Sequence, residues 1–327
     1  MKLLITLYHR FELWTAPAWL AGRIRTDFPM LTVVQLPNYD RVPEEIADAE
    51  IYFGWSLRPE QLAAAKKLRW IHSTAAAVHQ LIIPELRDSS VVVTNARDIH
   101  GPVVAEHAIA LLFALAKRLH SAMRFQQQKV WAQTQLWHQT PPPRELAGGA
   151  VLVLGLGSIG QGIARSARAL GMHVIAVREH PEKGRAEANE VHAIAQLDEL
   201  LPRADYVVIA APLTEVTRNL FNAQRLAKMR RDAYLINVAR GPIVDEAALL
   251  RALKSKQIAG AALDVFAAEP LASESPLWDL ENLLITPHSA SLSEKMWQRH
   301  YALISENLRR YLGGKELLNV VDKQKGY

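Results

Sequence analysis

The segment Gly155-Leu156-Gly157-Ser158-Ile159-Gly160 constrains this chain more than any other. It follows an apolar run at 151–154 and opens a stretch, 159–170, whose apolar residues recur at helical spacing. Three glycines between a strand and a helix permit a tight turn, the close approach of a ligand and tight packing of helix on strand. Free N–H groups and the dipole at the helix start favour an anion, and a dinucleotide pyrophosphate is the anion that this arrangement holds.

The same strand-then-helix rhythm runs along the whole chain. Short apolar, often β-branched segments at 3–7, 32–36, 51–54, 70–73 and 91–94 are predicted strands, with amphipathic stretches such as 17–27 and 59–66 between them. A second series follows at 151–154, 173–177, 206–209, 234–237, 260–263 and 283–286. Such alternation requires parallel sheets with helices on both faces, and 327 residues fit two domains. Between the series, 102–129 reads as one long helix opened by Pro102. Residues 131–149, broken by Pro141-Pro142-Pro143 and Gly148-Gly149, read as a loop or arm. The segment 294–312 reads as a helix stopped at Gly313-Gly314.

Composition excludes several classes. Lys and Arg are interspersed with Asp and Glu, so the net charge of +5 makes no basic run for nucleic acid. Cysteine is absent, which rules out disulfides, cysteine-ligated zinc and thiol nucleophiles. His, Asp and Glu show no metal-ligand spacing, so no metal is expected. The longest apolar helix candidate, 103–119, carries Glu106, His107 and Lys117 and is not a membrane span. The N-terminal apolar run is short and lacks a small-residue cleavage site, so it reads as a strand rather than a signal peptide. A cytoplasmic protein with anionic small-molecule ligands is expected, without nucleic acid or membrane partners.

About twenty residues beyond such a glycine turn, an Asp or Glu ordinarily accepts the adenosine ribose 2′-OH. Here the following strand ends Val177-Arg178-Glu179-His180. A guanidinium pairs with phosphate oxygens, so Arg178 predicts a 2′-phosphate and NADP(H) in preference to NAD(H). His180, Lys183 and Arg185 are close enough to add donors.

Three later segments each carry one ionisable residue: Asn-Val-Ala-Arg-Gly at 237–241, Val-Phe-Ala-Ala-Glu-Pro at 265–270 and Thr-Pro-His-Ser-Ala at 286–290. Arg240 supplies an anion clamp, Glu269 a carboxylate that orients a base, and His288 a proton donor. Histidine suits proton transfer in both directions because its ordinary pKa of about 6.5 lies near working pH. Together they are the set that reduces a 2-keto acid by hydride transfer.

With the segments 95–107 and 212–217 added, the chain resembles the D-isomer-specific 2-hydroxyacid dehydrogenases over essentially its whole length, and within them the glyoxylate/hydroxypyruvate reductases. The resemblance implies an α/β fold of two doubly wound parallel-sheet domains. Residues 1–98 and 291–327 would form a discontinuous flavodoxin-like substrate domain, with a Rossmann cofactor domain, 99–290, inserted into it. Arg240, Glu269 and His288 would be catalytic. Gly155, Gly157, Gly160, Ser158 and Ile159 would hold the pyrophosphate, and Arg178 and His180 the 2′ end. Pro212 and Thr217 would lie along the adenosine. Val104, Val238, Ala239, Arg240, Asp264, His288 and Ala290 would surround the nicotinamide. Backbone N–H groups of Ala75, Ala76 and Ala77 would join Arg240 and His288 in binding the substrate. A homodimer through the cofactor domain is implied, with the long helix at its interface. Trp137 would then either take the place of an arm tryptophan that reaches the partner's site in some of these reductases or be buried within the dimer arm.

Two readings stand beside this one: a dinucleotide-sensing, corepressor-like binding protein of the same fold, and phosphoglycerate dehydrogenase. Fold alone does not decide between them. Formate dehydrogenase is disfavoured, because that branch carries glutamine where Glu269 stands. His72, His79, His100 and His107 read as structural or peripheral.

Overall fold

A computed structural model of the chain describes all residues except 10, 77, 79, 186 and 325–327. Two compact units emerge, one from residues 1–100 together with the segment from 293 onward, the other from 101–292.

The first unit contains β1 (Lys2–Thr6), β2 (Thr32–Gln35), β3 (Ile51–Gly54), β4 (Trp70–Ser73) and β5 (Val92–Asn95). They form a parallel sheet in the order β2-β1-β3-β4-β5, the flavodoxin-like order. The near-continuous apolar character of β1, β3 and β4 follows from burial on both faces. One face is covered by the helix Met296–Leu312, whose Tyr301, Ile304 and Leu308 pack with Leu3, Ile5, Phe53 and Trp70. Burial of each such side chain contributes about 1.5–3 kcal/mol. That helix ends at the expected glycines, where Gly314 takes φ +64° and Lys315 N–H reaches back to Arg310 O. The C-terminal segment then returns to the sheet, Val321 N–H donating to Val93 O at 2.8 Å. His72 is fully buried in this unit, and burial pushes its pKa down to about 3. Burial, helped by the Arg299 charge, takes His100 to about 4, and His300 is also held well below its ordinary value by burial. His79 lies outside the described residues.

The second unit contains β6 (Ala150–Leu154), β7 (His173–Arg178), β8 (Glu190–Ala193), β9 (Tyr206–Ile209), β10 (Tyr234–Asn237), β11 (Gly260–Leu263) and β12 (Leu283–Ile285). The order β12-β11-β10-β9-β6-β7-β8 is that of a Rossmann fold, with the reversal between β6 and β9. β8 is absent from the sequence reading. Its four residues, Glu-Val-His-Ala, are half-buried at the sheet edge and carry no apolar run.

The single helix expected over 102–129 is instead two, Gly101–Ala116 and Leu119–Gln127. The break is at Arg118, whose φ of +57° is left-handed. Its buried guanidinium donates from Nε to Pro141 O at 3.0 Å and lies 5.5 Å from the centre of the Tyr234 ring. Apolar periodicity continues through this point, so only the long-range contact of Arg118 reveals the break. The expected arm also contains a short helix, Gln133–Trp137.

Candidate active site

The glycine turn sits at the carboxyl end of β6, at the point where strand order reverses. Gly155 has φ +92°, and a Cβ there would lie 2.7 Å from Ala211 Cα; at Gly160 a Cβ would lie 1.9 Å from Gly155 O. The turn therefore closes only with glycine at both places. Gly157 differs, because a Cβ there would meet nothing within 4 Å and would project into open space. The helix Ser158–Ala169 begins with no side-chain cap, so its first-turn N–H groups are open to an anion. This cradle fits a dinucleotide pyrophosphate, with Ser158 exposed and Ile159 half-buried at its start.

Gly155 N–H donates to Val177 O at 2.7 Å, so the next residue, Arg178, ends β7 directly beside the turn. His180 is exposed, with Nδ1 3.1 Å from Glu182 Oε1. Thr217 is buried and its hydroxyl donates to Pro212 O at 2.7 Å, closing the 212–217 loop and leaving Pro212 exposed. Val104, Val238, Ala239 and Ala290 are all buried.

Arg240 follows β10. Asn237 shapes its turn, accepting from Ala239 N–H and donating to Arg240 O, both at 3.0 Å. Gly241 brings this turn against the segment after β11: a Cβ there would lie 1.9 Å from the carbonyl carbon of Phe266. No larger residue permits that approach. Burial lowers the Arg240 pKa, and the Glu269 charge opposes the change. Glu269 is held from both ends. Its Oε1 accepts Phe266 N–H at 2.8 Å, and its Oε2 lies 2.6 Å from His288 Nδ1. Burial alone would raise the Glu269 pKa. The hydrogen bonds from His288 and Phe266, with the charges of His288 and Arg240, outweigh it and hold the carboxyl below its ordinary value.

His288 sits in a tightly bonded turn after β12. Its φ is +50°, and its N–H donates to Asp264 O at 2.8 Å and Thr286 O at 3.0 Å. The Asp264 side chain takes four more donors from the same turn: Thr286 Oγ1 at 2.5 Å, Ser289 N–H at 2.9 Å, Ser289 Oγ at 3.5 Å and Ala290 N–H at 3.0 Å. Asp264, expected beside the nicotinamide, is 1% exposed and faces inward, engaged by the His288 turn. His107 also enters this network, its Nε2 3.1 Å from Thr286 Oγ1 and 3.5 Å from Asp264 Oδ1. Sequence reading set His107 aside, and no local pattern links it to residues near 264 and 286.

Arg240, Glu269 and His288 are thus carried by neighbouring segments of one unit. The alanine loop belongs to the first unit. There Ala75 N–H donates to Ser73 Oγ at 3.2 Å, so it is already engaged, and Ala76 O accepts from Asn95 Nδ2 at 2.7 Å. Ala77 lies outside the described residues. Among the described residues, no group of three or more His, Asp or Glu could hold a metal ion, and no helix is long and apolar enough to cross a membrane.

A glycine cradle at a Rossmann switch point, with a paired histidine and carboxylate in the same unit, fits a nicotinamide-dependent oxidoreductase. Residues 109–290 match the family described as D-isomer specific 2-hydroxyacid dehydrogenase, NAD binding domain. The chain is 33% identical over 292 residues to a glyoxylate reductase of Korarchaeum cryptofilum, covering 88% of this chain and 87% of that protein. It is 31% identical over 282 residues to a D-3-phosphoglycerate dehydrogenase of Methanocaldococcus jannaschii, covering 85% of this chain but 53% of that protein. Among solved structures it resembles a D-isomer specific 2-hydroxyacid dehydrogenase from Xanthobacter autotrophicus in complex with NADPH and MES, with TM-score 0.83, 32% identity, and coverage of 100% and 99% of the two chains. This chain belongs to the D-isomer specific 2-hydroxyacid dehydrogenase family.

Proposed function

We propose that the protein is an NADPH-preferring reductase that converts short 2-keto acids, such as glyoxylate or hydroxypyruvate, to D-2-hydroxy acids. The observation that carries this reading is the 2.6 Å contact between His288 Nδ1 and Glu269 Oε2, made in segments that adjoin Arg240. In this reading residues 99–290 form the cofactor domain, and 1–98 with 291–327 form the substrate domain. The reduced nicotinamide, when bound, supplies hydride to the ketone carbon. Glu269 fixes the imidazole through Nδ1, which leaves Nε2 to deliver a proton to the ketone oxygen. Arg240 binds the substrate carboxylate and draws the charge that builds on that oxygen. Arg178, beside the glycine turn, supports the 2′-phosphate and so NADP(H). A solved relative from Sinorhizobium meliloti, 26% identical, is an NADPH-dependent glyoxylate/hydroxypyruvate reductase in complex with NADP. The proposal includes a cytoplasmic homodimer. Leu119, Met123, Val130, Trp131 and Trp137 are all exposed on the region expected at its interface.

The test is the initial rate of NADPH or NADH oxidation with glyoxylate, hydroxypyruvate, pyruvate and phenylpyruvate. Turnover with a clear NADPH preference is expected. A clear NADH preference would overturn the role of Arg178. Tight cofactor binding with no turnover of any acid would favour the dinucleotide-sensing reading.

A further inference from the structure

The turn that carries His288 is tied to the helix Gly101–Ala116. We infer that His107 and Thr286, acting through Asp264, are positioning residues that hold His288 in place for proton transfer. This rests on the reading of His288 as the proton donor.

The backbone of His288 is the first ground. A non-glycine residue in the left-handed region costs about 1–3 kcal/mol and persists only where its surroundings hold it. At φ +50°, His288 is held by its own N–H bonds and by the two N–H groups that follow it, Ser289 and Ala290, which donate to Asp264. Asp264 is therefore the clamp on the turn, and at 1% exposure its carboxylate depends on protein donors.

The direction of the hydrogen bonds is the second ground. Thr286 has one hydroxyl proton, and at 2.5 Å from Asp264 Oδ1 it is donated to the carboxylate. Thr286 Oγ1 can then only accept from His107, 3.1 Å away. His107 must therefore carry a proton on Nε2. The helix Gly101–Ala116 thus places one N–H donor on the hydroxyl that engages Asp264. Without that donor, the hydroxyl loses one of the two bonds that orient it, and its hold on Asp264 weakens. The turn then relaxes, and the 2.6 Å contact from His288 to Glu269 opens. Proton and hydride transfer tolerate little displacement, since about 1 Å can cost on the order of a hundredfold in rate.

The test uses the whole chain with His107→Leu, His107→Gln, Thr286→Val and Thr286→Ser. Glutamine keeps an N–H donor near the position of Nε2, and serine keeps the hydroxyl. Two readouts are taken: hydrogen exchange by mass spectrometry over residues 286–290, and kcat and KM with NADPH and glyoxylate. His107→Leu and Thr286→Val should speed exchange in that segment and lower kcat about ten- to hundredfold, with both KM values within about twofold. The glutamine and serine variants should recover both. The double variant His107→Leu/Thr286→Val should be no slower than either single one, because both break one chain of bonds. Unchanged exchange in His107→Leu would overturn the inference. So would faster exchange with unchanged kcat, which would leave the network structural only. If the parent protein turned over no 2-keto acid, the proposed function would fall, and the exchange data would still decide whether the network holds the turn.

Discussion

Replacing Glu269 by glutamine changes one oxygen to an NH2 group at constant length, and the structure dictates which way the amide points. Phe266 N–H is aimed at Oε1 from 2.8 Å. An NH2 group there would set donor against donor, so the amide oxygen stays on Phe266 and the NH2 group faces His288 Nδ1. That nitrogen can then only accept, which leaves the ring neutral with its single proton on Nε2. The lost interaction is a short, charge-assisted hydrogen bond of 2.6 Å. Hydrogen bonds to charged groups contribute about 1.5–3 kcal/mol. Expressed fully in the transition state, this lowers kcat roughly 10- to 150-fold. The assay is the initial rate of NADPH oxidation at saturating glyoxylate, with cofactor affinity measured separately by fluorescence titration. Affinity should hold, because the glycine cradle is untouched. A variant with kcat within about twofold of the parent would refute the assignment of Glu269 to His288.

Three further outcomes are expected. Arg178→Ser should lower the ratio of kcat/KM for NADPH over NADH about ten- to hundredfold, the loss of charged hydrogen bonds to a 2′-phosphate, and an unchanged ratio would remove Arg178 from cofactor selection. Gly241→Ala would place a Cβ 1.9 Å from the Phe266 carbonyl carbon, so it should both lower the melting temperature and abolish turnover; a normal melt with normal rates would contradict the close approach. The buried histidines of the first unit make stability depend on pH. His72 titrates at about 3 and His100 at about 4 in the folded protein against 6.5 in the open chain, so the unfolded state binds more protons between these values. Stability is therefore full above about pH 6.5 and falls on acidification, by about 1.4 kcal/mol per pH unit for each histidine that takes up a proton. Urea unfolding followed from neutral pH to about 4.5 reads this slope, and a flat profile would show that these histidines are accessible in the folded state.

Sheet strands and the Glu269–His288 pair were legible in the sequence for different reasons. β3, β4, β9, β10 and β11 occupy the spans expected, because strands buried on both faces appear as short apolar runs between turn residues. Glu269 and His288 were legible by residue type, and their 2.6 Å contact follows. The rest depends on contacts between distant residues. Arg118 interrupts a helix because its guanidinium reaches Pro141 and Tyr234, which apolar spacing does not register. The edge strand Glu190–Ala193 gains its form from pairing with β7 rather than from its own residues. The burial of Asp264, at a strand end, rests on donors supplied by residues 286–290.

The first unit is made from both ends of the chain, and this orders its assembly during synthesis. Leu3, Ile5, Phe53 and Trp70 are translated early, while Tyr301, Ile304 and Leu308, which cover them, come near the end. Residues 101–292 are contiguous and carry cores of their own, so they can close while translation continues. The opening hundred residues must meanwhile wait with that apolar sheet face only partly covered, by the helix Ala18–Asp27. A ribosome that stalls before the last helix emerges would release a finished cofactor-binding half joined to a sticky, incomplete partner. The sheet of the first hundred residues therefore keeps part of its apolar surface exposed until the helix Met296–Leu312 has been made.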